Sequence, residues 1–297
     1  MTVLQISGLT KKYGKITALK SLDLKIEQGN VYGLLGPNGS GKTTTLGIIL
    51  GILKQDDGSF SWFGDKYGDQ YRLKIGAILE TPNFYPYLNA DENLEIIRHI
   101  KNDQNADFTE LLTMVNLVDR RKSNFSTYSL GMKQRLAIAA TLIGEPEVLI
   151  FDEPTNGLDP QGIAEVREIL KKIANTGKTV IMASHILDEV EKICSHVAII
   201  KKGQLLATGP VGSIINSDIT VELASNDMHL LKSFLAGIPM VKSLHMLDKF
   251  IEITVDQNED FAVLNKLAFD NGIILTHFVG RKKRLETEFL EITSKSN

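Results

Sequence analysis

Residues Gly36-Pro-Asn-Gly-Ser-Gly-Lys-Thr43 constrain this chain more than any other segment, because they carry the GxxxxGK[ST] spacing of a phosphate-binding loop. Such a loop needs a buried strand to deliver it and a helix to leave by. Here the unbroken apolar run Val31–Leu35 precedes it, and residues 43–53 have the length and apolar content of a helix despite Gly47 and Gly51. The residue types follow from the chemistry. Glycines let backbone N–H groups approach phosphate oxygens, the Lys42 ammonium is a point charge for the β- and γ-phosphates, and the Thr43 hydroxyl is a ligand for Mg²⁺. A glycine-rich turn with a surface lysine would not need the strand–turn–helix setting. The expected phosphate contacts are Gly36, Pro37, Asn38, Gly39, Ser40, Gly41, Lys42, Thr43 and Thr44.

The rest of the pattern is that of an α/β chain. Short apolar runs at 148–151, 179–183 and 197–200, separated by helical spacing, read as strands of a central parallel sheet. Alternation at 3–6 and 22–26, with turn residues Gly14 and Gly29, predicts short strands of an antiparallel β subdomain. Residues 55–79 return to strand character around Asp57-Gly58, and about 81–145 forms a helical insertion. After Gly209-Pro210 the pattern changes. Ile219, Val221 and Leu223 alternate, as do Ile251, Ile253 and Val255, and helical runs cover 228–236 and the segment from Phe261 to Leu267. Two domains are therefore expected: 1–216, and a small accessory α+β domain over 217–297.

Composition removes several function classes. The net charge is -3; residues 217–297 hold nine basic and twelve acidic residues, leaving twenty-four of each before them. Neither part has the basic excess by which proteins neutralise nucleic-acid phosphates, so no nucleic-acid partner is expected. Cys194 is the single cysteine, expected as a small buried residue; no intrachain disulfide can form, and a reducing cytosol is the expected setting. The first residues lack the apolar run of a signal peptide, and no apolar stretch reaches the ~20 residues that span a bilayer. A membrane role then requires a partner chain. His99, His196, His229, His245 and His277 share no metal-ligand spacing, and the run Arg281-Lys-Lys-Arg284 suits either anionic lipid or a solvated turn.

Val148-Leu-Ile-Phe-Asp152-Glu153 places two carboxylates at the mouth of a buried strand, with Asp152 as the candidate metal-side acid and Glu153 as the candidate base. Standing alone, such a pair serves more often for helix capping than for catalysis. It does not stand alone. Tyr128-Ser-Leu-Gly-Met-Lys-Gln-Arg135 lies between the phosphate loop and the acids, and Asn156-Gly-Leu-Asp159 and Ser184-His185 follow. In this order the motifs resemble the ABC ATPase family over about residues 1–210.

The resemblance implies a P-loop ATPase core that binds ATP and Mg²⁺ and hydrolyses ATP to drive transport. Ser129 and Gly131 would meet the γ-phosphate held by the other protomer, Asp159 would cross the dimer interface, His185 would contact the γ-phosphate in its own site, and Tyr13 would stack on adenine. It further implies a homodimer or paired ATPase subunit, a membrane-spanning permease received around Phe84 to Asn93, and a cytoplasmic place on the inner face of the cell membrane. Two departures narrow it. The family's LSGGQ is YSLGM here, with Leu130 in place of the first glycine and Met132 in place of the glutamine, and Glu80 stands where most relatives have a glutamine that senses Mg²⁺ and the permease. Glu80 is thus a candidate nucleotide and metal contact, or a cap of the turn before Thr81-Pro82. Both variants look like exporters protecting against bacitracin and lantibiotic peptides. ABC-type ATPases acting on DNA ends or ribosomes carry a long coiled coil or two cassettes, neither of which is present, and Glu153 and His185 argue against a non-hydrolytic clamp.

Overall fold

The computed structural model describes residues 1–214, 218–256, 259–282 and 285–294. Two twelve-residue strands open the chain, β1 (Thr2–Tyr13) and β2 (Ile16–Glu27). They are longer than the alternation at 3–6 and 22–26 predicts, because register shifts at Ile6/Leu9 and Leu9/Lys11 interrupt the two-residue period within one continuous ladder. Next comes β3 (Val31–Leu35), buried at every residue as a central parallel strand requires. Helix α1 (Lys42–Ile49) is shorter than the expected 43–53; the chain leaves it at Leu50, and Gly51 turns away with φ +70°. β4 (Asp57–Trp62) pairs with β1 to complete the antiparallel sheet β2-β1-β4.

Between β4 and β5 (Ile75–Ile78) lie two stretches of 3₁₀ turn, Phe63–Asp65 and Gly68–Lys74, where strand character was expected. The helical insertion contains α2 (Ala90–Lys101), α3 (Phe108–Met114) and α4 (Leu130–Thr141), whose first amides are capped by Asn89, Asp107 and Ser129. There follow β6 (Val148–Asp152), α5 (Pro160–Ala174), β7 (Thr179–Ser184), α6 (Leu187–Ile193), β8 (His196–Lys201) and β9 (Gln204–Pro210). The main sheet runs β5-β6-β7-β3-β8-β9, parallel except for the edge strand β9.

One core joins the two sheets around α1. Leu4, Ile6 and Leu22 of the antiparallel sheet, Leu46, Ile48 and Ile49 of α1, and Leu34, Ile150, Ile181 and Ala198 of the main sheet form a single buried cluster. Each large side chain there contributes about 1.5–3 kcal/mol by leaving water, which holds the helix behind the phosphate loop rigidly in place.

The chain divides into two compact units, Met1–Val211 and Gly212–Asn297, with the short helix α7 (Val211–Ile214) at the division. The expected boundary near residue 216 lies outside the described residues. The second unit contains β10 (Ile219–Ser225), α8 (Met228–Ala236), β11 (Val241–Met246), β12 (Ile251–Val255), α9 (Val263–Asp270), β13 (Leu275–Lys282) and α10 (Leu285–Ser294). Its antiparallel order β11-β12-β10-β13, with α8 and α9 as crossovers, is a split β-α-β arrangement. It has its own core, in which Val221, Leu223, Ile251 and Ile253 meet Leu231, Leu235, Leu264 and Ala268. Of the basic run, Arg281 donates to Glu222 Oε2 at 3.3 Å, while Lys283 and Arg284 lie outside the described residues.

Candidate functional site

The site grows from the carboxyl ends of β3, β6 and β7, which are neighbours in the sheet although far apart in sequence. β3 ends at Leu35 and runs into the phosphate loop. Gly36 is buried so tightly that a Cβ would overlap the Ile200 carbonyl and Ser40 Oγ, so no other residue fits. Gly41 forms the N-cap of α1. No side chain caps that terminus and no acid stands in its first turn, which leaves its amides and the positive end of the helix dipole open to an anion. Ser40 Oγ is buried without a hydrogen-bond partner.

Lys42 is buried, and its Nζ donates to the Gly36 carbonyl at 2.8 Å and the Pro37 carbonyl at 3.4 Å, with Glu153 Oε1 at 3.6 Å. Thr43 Oγ1 donates to Asp152 Oδ2 at 2.7 Å, while Asp152 Oδ1 is buried and unpartnered. Burial pushes the Asp152 carboxyl above its ordinary value; the neighbouring charges of Glu153 and Glu80 push the same way, and the Thr43 hydrogen bond and Lys42 oppose them. A buried carboxylate with one idle oxygen beside a hydroxyl offers the hard oxygen donors that a divalent cation takes. Among the described residues no three His, Cys, Asp or Glu side chains converge as a protein-only cage, so an ion here would complete its shell with phosphate oxygens and water.

Glu153 follows β6 and His185 follows β7, which brings His185 Nδ1 to 2.7 Å from Glu153 Oε2. Glu153 holds φ +49°, a strained value for a residue with a side chain, fixed by its N–H donating to the Ala183 carbonyl at 2.9 Å. Glu80, just beyond β5, is exposed with φ +61°.

Beside this cluster opens a cavity of about 540 Å³. Tyr13, Ile16, Thr17 and Ala18 form one wall, residues 38–44 another, and Lys20 and Lys202 complete it. Tyr13 is 47% exposed, with Lys11 Nζ 5.5 Å from its ring centroid. Ser129, Gly131 and Asp159 are elsewhere. They line a separate cavity of about 430 Å³, where Ser129 Oγ accepts from the Met132 amide at 3.3 Å and Asp159 Oδ1 from the Gly162 amide at 2.8 Å. The chain thus assembles one cluster from Lys42, Thr43, Asp152, Glu153 and His185, with Tyr13 beside it, and holds the Ser129 segment apart. Sequence reasoning did not single out Ile16, Thr17, Ala18, Lys20 or Lys202. Only Lys202 left a signal, a Lys-Gly pair between two strand-like runs.

Fold and site together define a P-loop ATPase. The family model described as ABC transporter matches residues 19–156. A bacitracin transport ATP-binding protein, BcrA of Enterococcus faecalis, is 33% identical over 299 residues, spanning 98% of this chain and 96% of the relative. A lantibiotic transport ATP-binding protein, SrtF of Streptococcus pyogenes, is 40% identical over 204 residues, 69% of this chain and 89% of the relative. A solved dimeric structure of a post-hydrolysis state of the ATP-binding cassette MJ0796, bound to ADP and Pi, matches with TM-score 0.62 and 28% identity over 70% of this chain and 98% of that one. The chain belongs to the ATP-binding subunits of the ABC transporter family, and it is an ATPase.

Proposed function

We propose that this ATPase powers the export of an antimicrobial peptide or similar amphiphile, giving resistance, by pairing with a second ATPase subunit and acting on a separate membrane-spanning permease. The relatives named for bacitracin and lantibiotic transport support the substrate class, and the match to a dimeric cassette supports the pairing. Among the described residues no helix is long and apolar enough to cross a membrane. Tyr85 and Tyr87 are 51% and 66% exposed, on a segment that the Asn93 side chain braces through Tyr85, Leu88 and Asn89, which suits a docking place for the permease. The subunit would then sit in the cytoplasm, peripheral on the inner face of the membrane.

The observation that carries the chemistry is the convergence of Lys42, Glu153 and His185 beside Thr43 and Asp152. Lys42 leaves the Gly36 and Pro37 carbonyls for the β- and γ-phosphates, and the loop amides bind their remaining oxygens. Glu153 exchanges its bonds to Lys42 and His185 for a water, orients it in line with the bond from the γ-phosphorus to the bridging oxygen, and takes its proton as that bond breaks to release ADP. His185 fixes the γ-phosphate. Tyr13 carries the adenine, and Ser129, Gly131 and Asp159 act on the nucleotide held by the partner. Thr43 and Asp152 would hold Mg²⁺, which when bound neutralises charge on the β- and γ-oxygens. Glu80 links this site to the permease, its charge being close enough to be felt at Asp152.

The test is peptide resistance and ATP hydrolysis assayed together in cells and in the purified transporter. Loss of the chain should sensitise cells to a bacitracin- or lantibiotic-class peptide, and Glu80→Ala should abolish resistance while Glu80→Gln keeps substantial hydrolysis. Unchanged sensitivity on losing the chain would overturn the export reading, and full resistance with Glu80→Ala would overturn the coupling role.

A further inference from the structure

Lys202 has no task in the reaction described above. β8 and β9 are joined by Lys202-Gly203, both left-handed at φ +49° and +80°, the tightest form of hairpin turn. At Gly203 the requirement is steric, since a Cβ would stand 2.5 Å from the Ala18 carbonyl oxygen. The Gly203 N–H donates to the Ser40 carbonyl at 2.9 Å, and its own carbonyl accepts from the Lys20 amide at 2.8 Å. The turn is therefore bonded at once to the phosphate loop and to β2.

No such steric demand explains Lys202. A lysine in left-handed backbone is strained where glycine would not be, so its side chain costs the turn stability. Its side chain lines the 540 Å³ cavity together with Lys20 and Lys42, and no Asp or Glu does. Lys42 is engaged within the chain, whereas Lys20 and Lys202 are exposed and, among the described residues, make no ion pair or side-chain hydrogen bond. Sheet order fixes the direction of approach. β3 delivers the phosphate loop, β7 and β6 with Asp152 lie on one side of it, and β8 with Lys202 lies on the other.

We propose that Lys202 is a nucleotide-binding residue, its ammonium meeting the phosphate chain of ATP from the flank opposite Asp152 and Glu153, with Lys20 adding to the same field. The proposal rests on the assignment of this cavity to ATP. A polyanion held between loop amides and three lysines gains charge-assisted contacts that an uncharged nucleoside does not.

The experiment titrates the full chain and its Lys202→Gly, Lys202→Arg and Lys42→Ala variants with ATP, ADP and adenosine, at low and high salt, and records the thermal midpoint of each nucleotide-free protein. Lys202→Gly should weaken ATP about three- to tenfold, with a loss that shrinks at high salt, and leave adenosine unchanged. Its midpoint should not fall, because glycine relieves the strained turn. Lys202→Arg should bind ATP within twofold of the parent. Equal ATP affinity in Lys202→Gly and the parent, alongside loss in Lys42→Ala, would overturn the proposal and leave the cavity assignment standing. An equal loss of ATP and adenosine would also overturn it, since only a structural effect is blind to charge. A parent chain that binds no ATP would overturn the assignment and the proposal together.

Discussion

Replacing Lys42 by alanine removes a cation whose side chain is only 6% exposed and which sits where the phosphate loop closes. Truncating one partner of a desolvated, hydrogen-bonded charge contact costs about 2–5 kcal/mol. The lower part of that range applies, because in the free protein Lys42 already bonds the Gly36 and Pro37 carbonyls and faces Glu153, and binding ATP only exchanges these contacts. A net loss of about 2–3 kcal/mol raises the dissociation constant about 30- to 150-fold. The consequence can be read by heat. At ATP a hundred times the parent's dissociation constant, binding stabilises the parent by about 2.7 kcal/mol, and the variant by only about 0.3–0.9 kcal/mol. For a unit the size of Met1–Val211 each kcal/mol moves the midpoint by about 2–4 °C, so a shift of about 5–11 °C should shrink to about 1–4 °C. Scanning fluorimetry and direct titration measure the two quantities independently. A Lys42→Ala chain with a dissociation constant within threefold of the parent would show that the Lys42 ammonium does not hold the phosphates.

Two further outcomes follow from the geometry. Because the folded state raises the Asp152 carboxyl above its ordinary value, it binds the proton more readily than the unfolded chain, so this residue's contribution to stability falls as pH rises from the ordinary carboxylate value through the raised one. In metal-free buffer at neutral pH, Asp152→Asn should therefore raise the thermal midpoint while reducing the extra stabilisation that ATP with Mg²⁺ brings; a lowered midpoint would contradict this. A chain ending at Val211 should still bind ATP, since Tyr13, the phosphate loop, Asp152, Glu153 and His185 all precede that point, and its titration against the full chain decides the matter.

What the sequence disclosed depended on how local each determinant is. The phosphate loop and the apolar runs at 31–35 and 148–151 were legible because full burial on both faces forces an unbroken apolar run, and the loop motif is contiguous. The true lengths of β1 and β2 were not, since bulges displace the alternation that would reveal them. Strands β11 and β13 were missed for a related reason: their residues are half-exposed, so polar side chains break up the pattern. The roles of Asp152, Glu153 and His185 were suggested by motif order, but their convergence comes from strand neighbours 32 residues apart or more, and the strained φ of Glu153 and Glu80 has no sequence signature. Lys202 shows the same limit, lining the cavity beside the phosphate loop only because β8 lies beside β3.

Phosphate release by purified Glu153→Gln protein reads whether Glu153 is the base with which this chain hydrolyses ATP. Glutamine keeps the shape of the side chain and the neighbours at His185 and Lys42 but cannot accept the proton of the attacking water. ATP affinity should stay within threefold of the parent, the ATP-bound dimer should accumulate, and phosphate release should fall about 10²- to 10⁴-fold. Release at close to the parent rate, with ATP still bound, would contradict the assignment of Glu153 as the base.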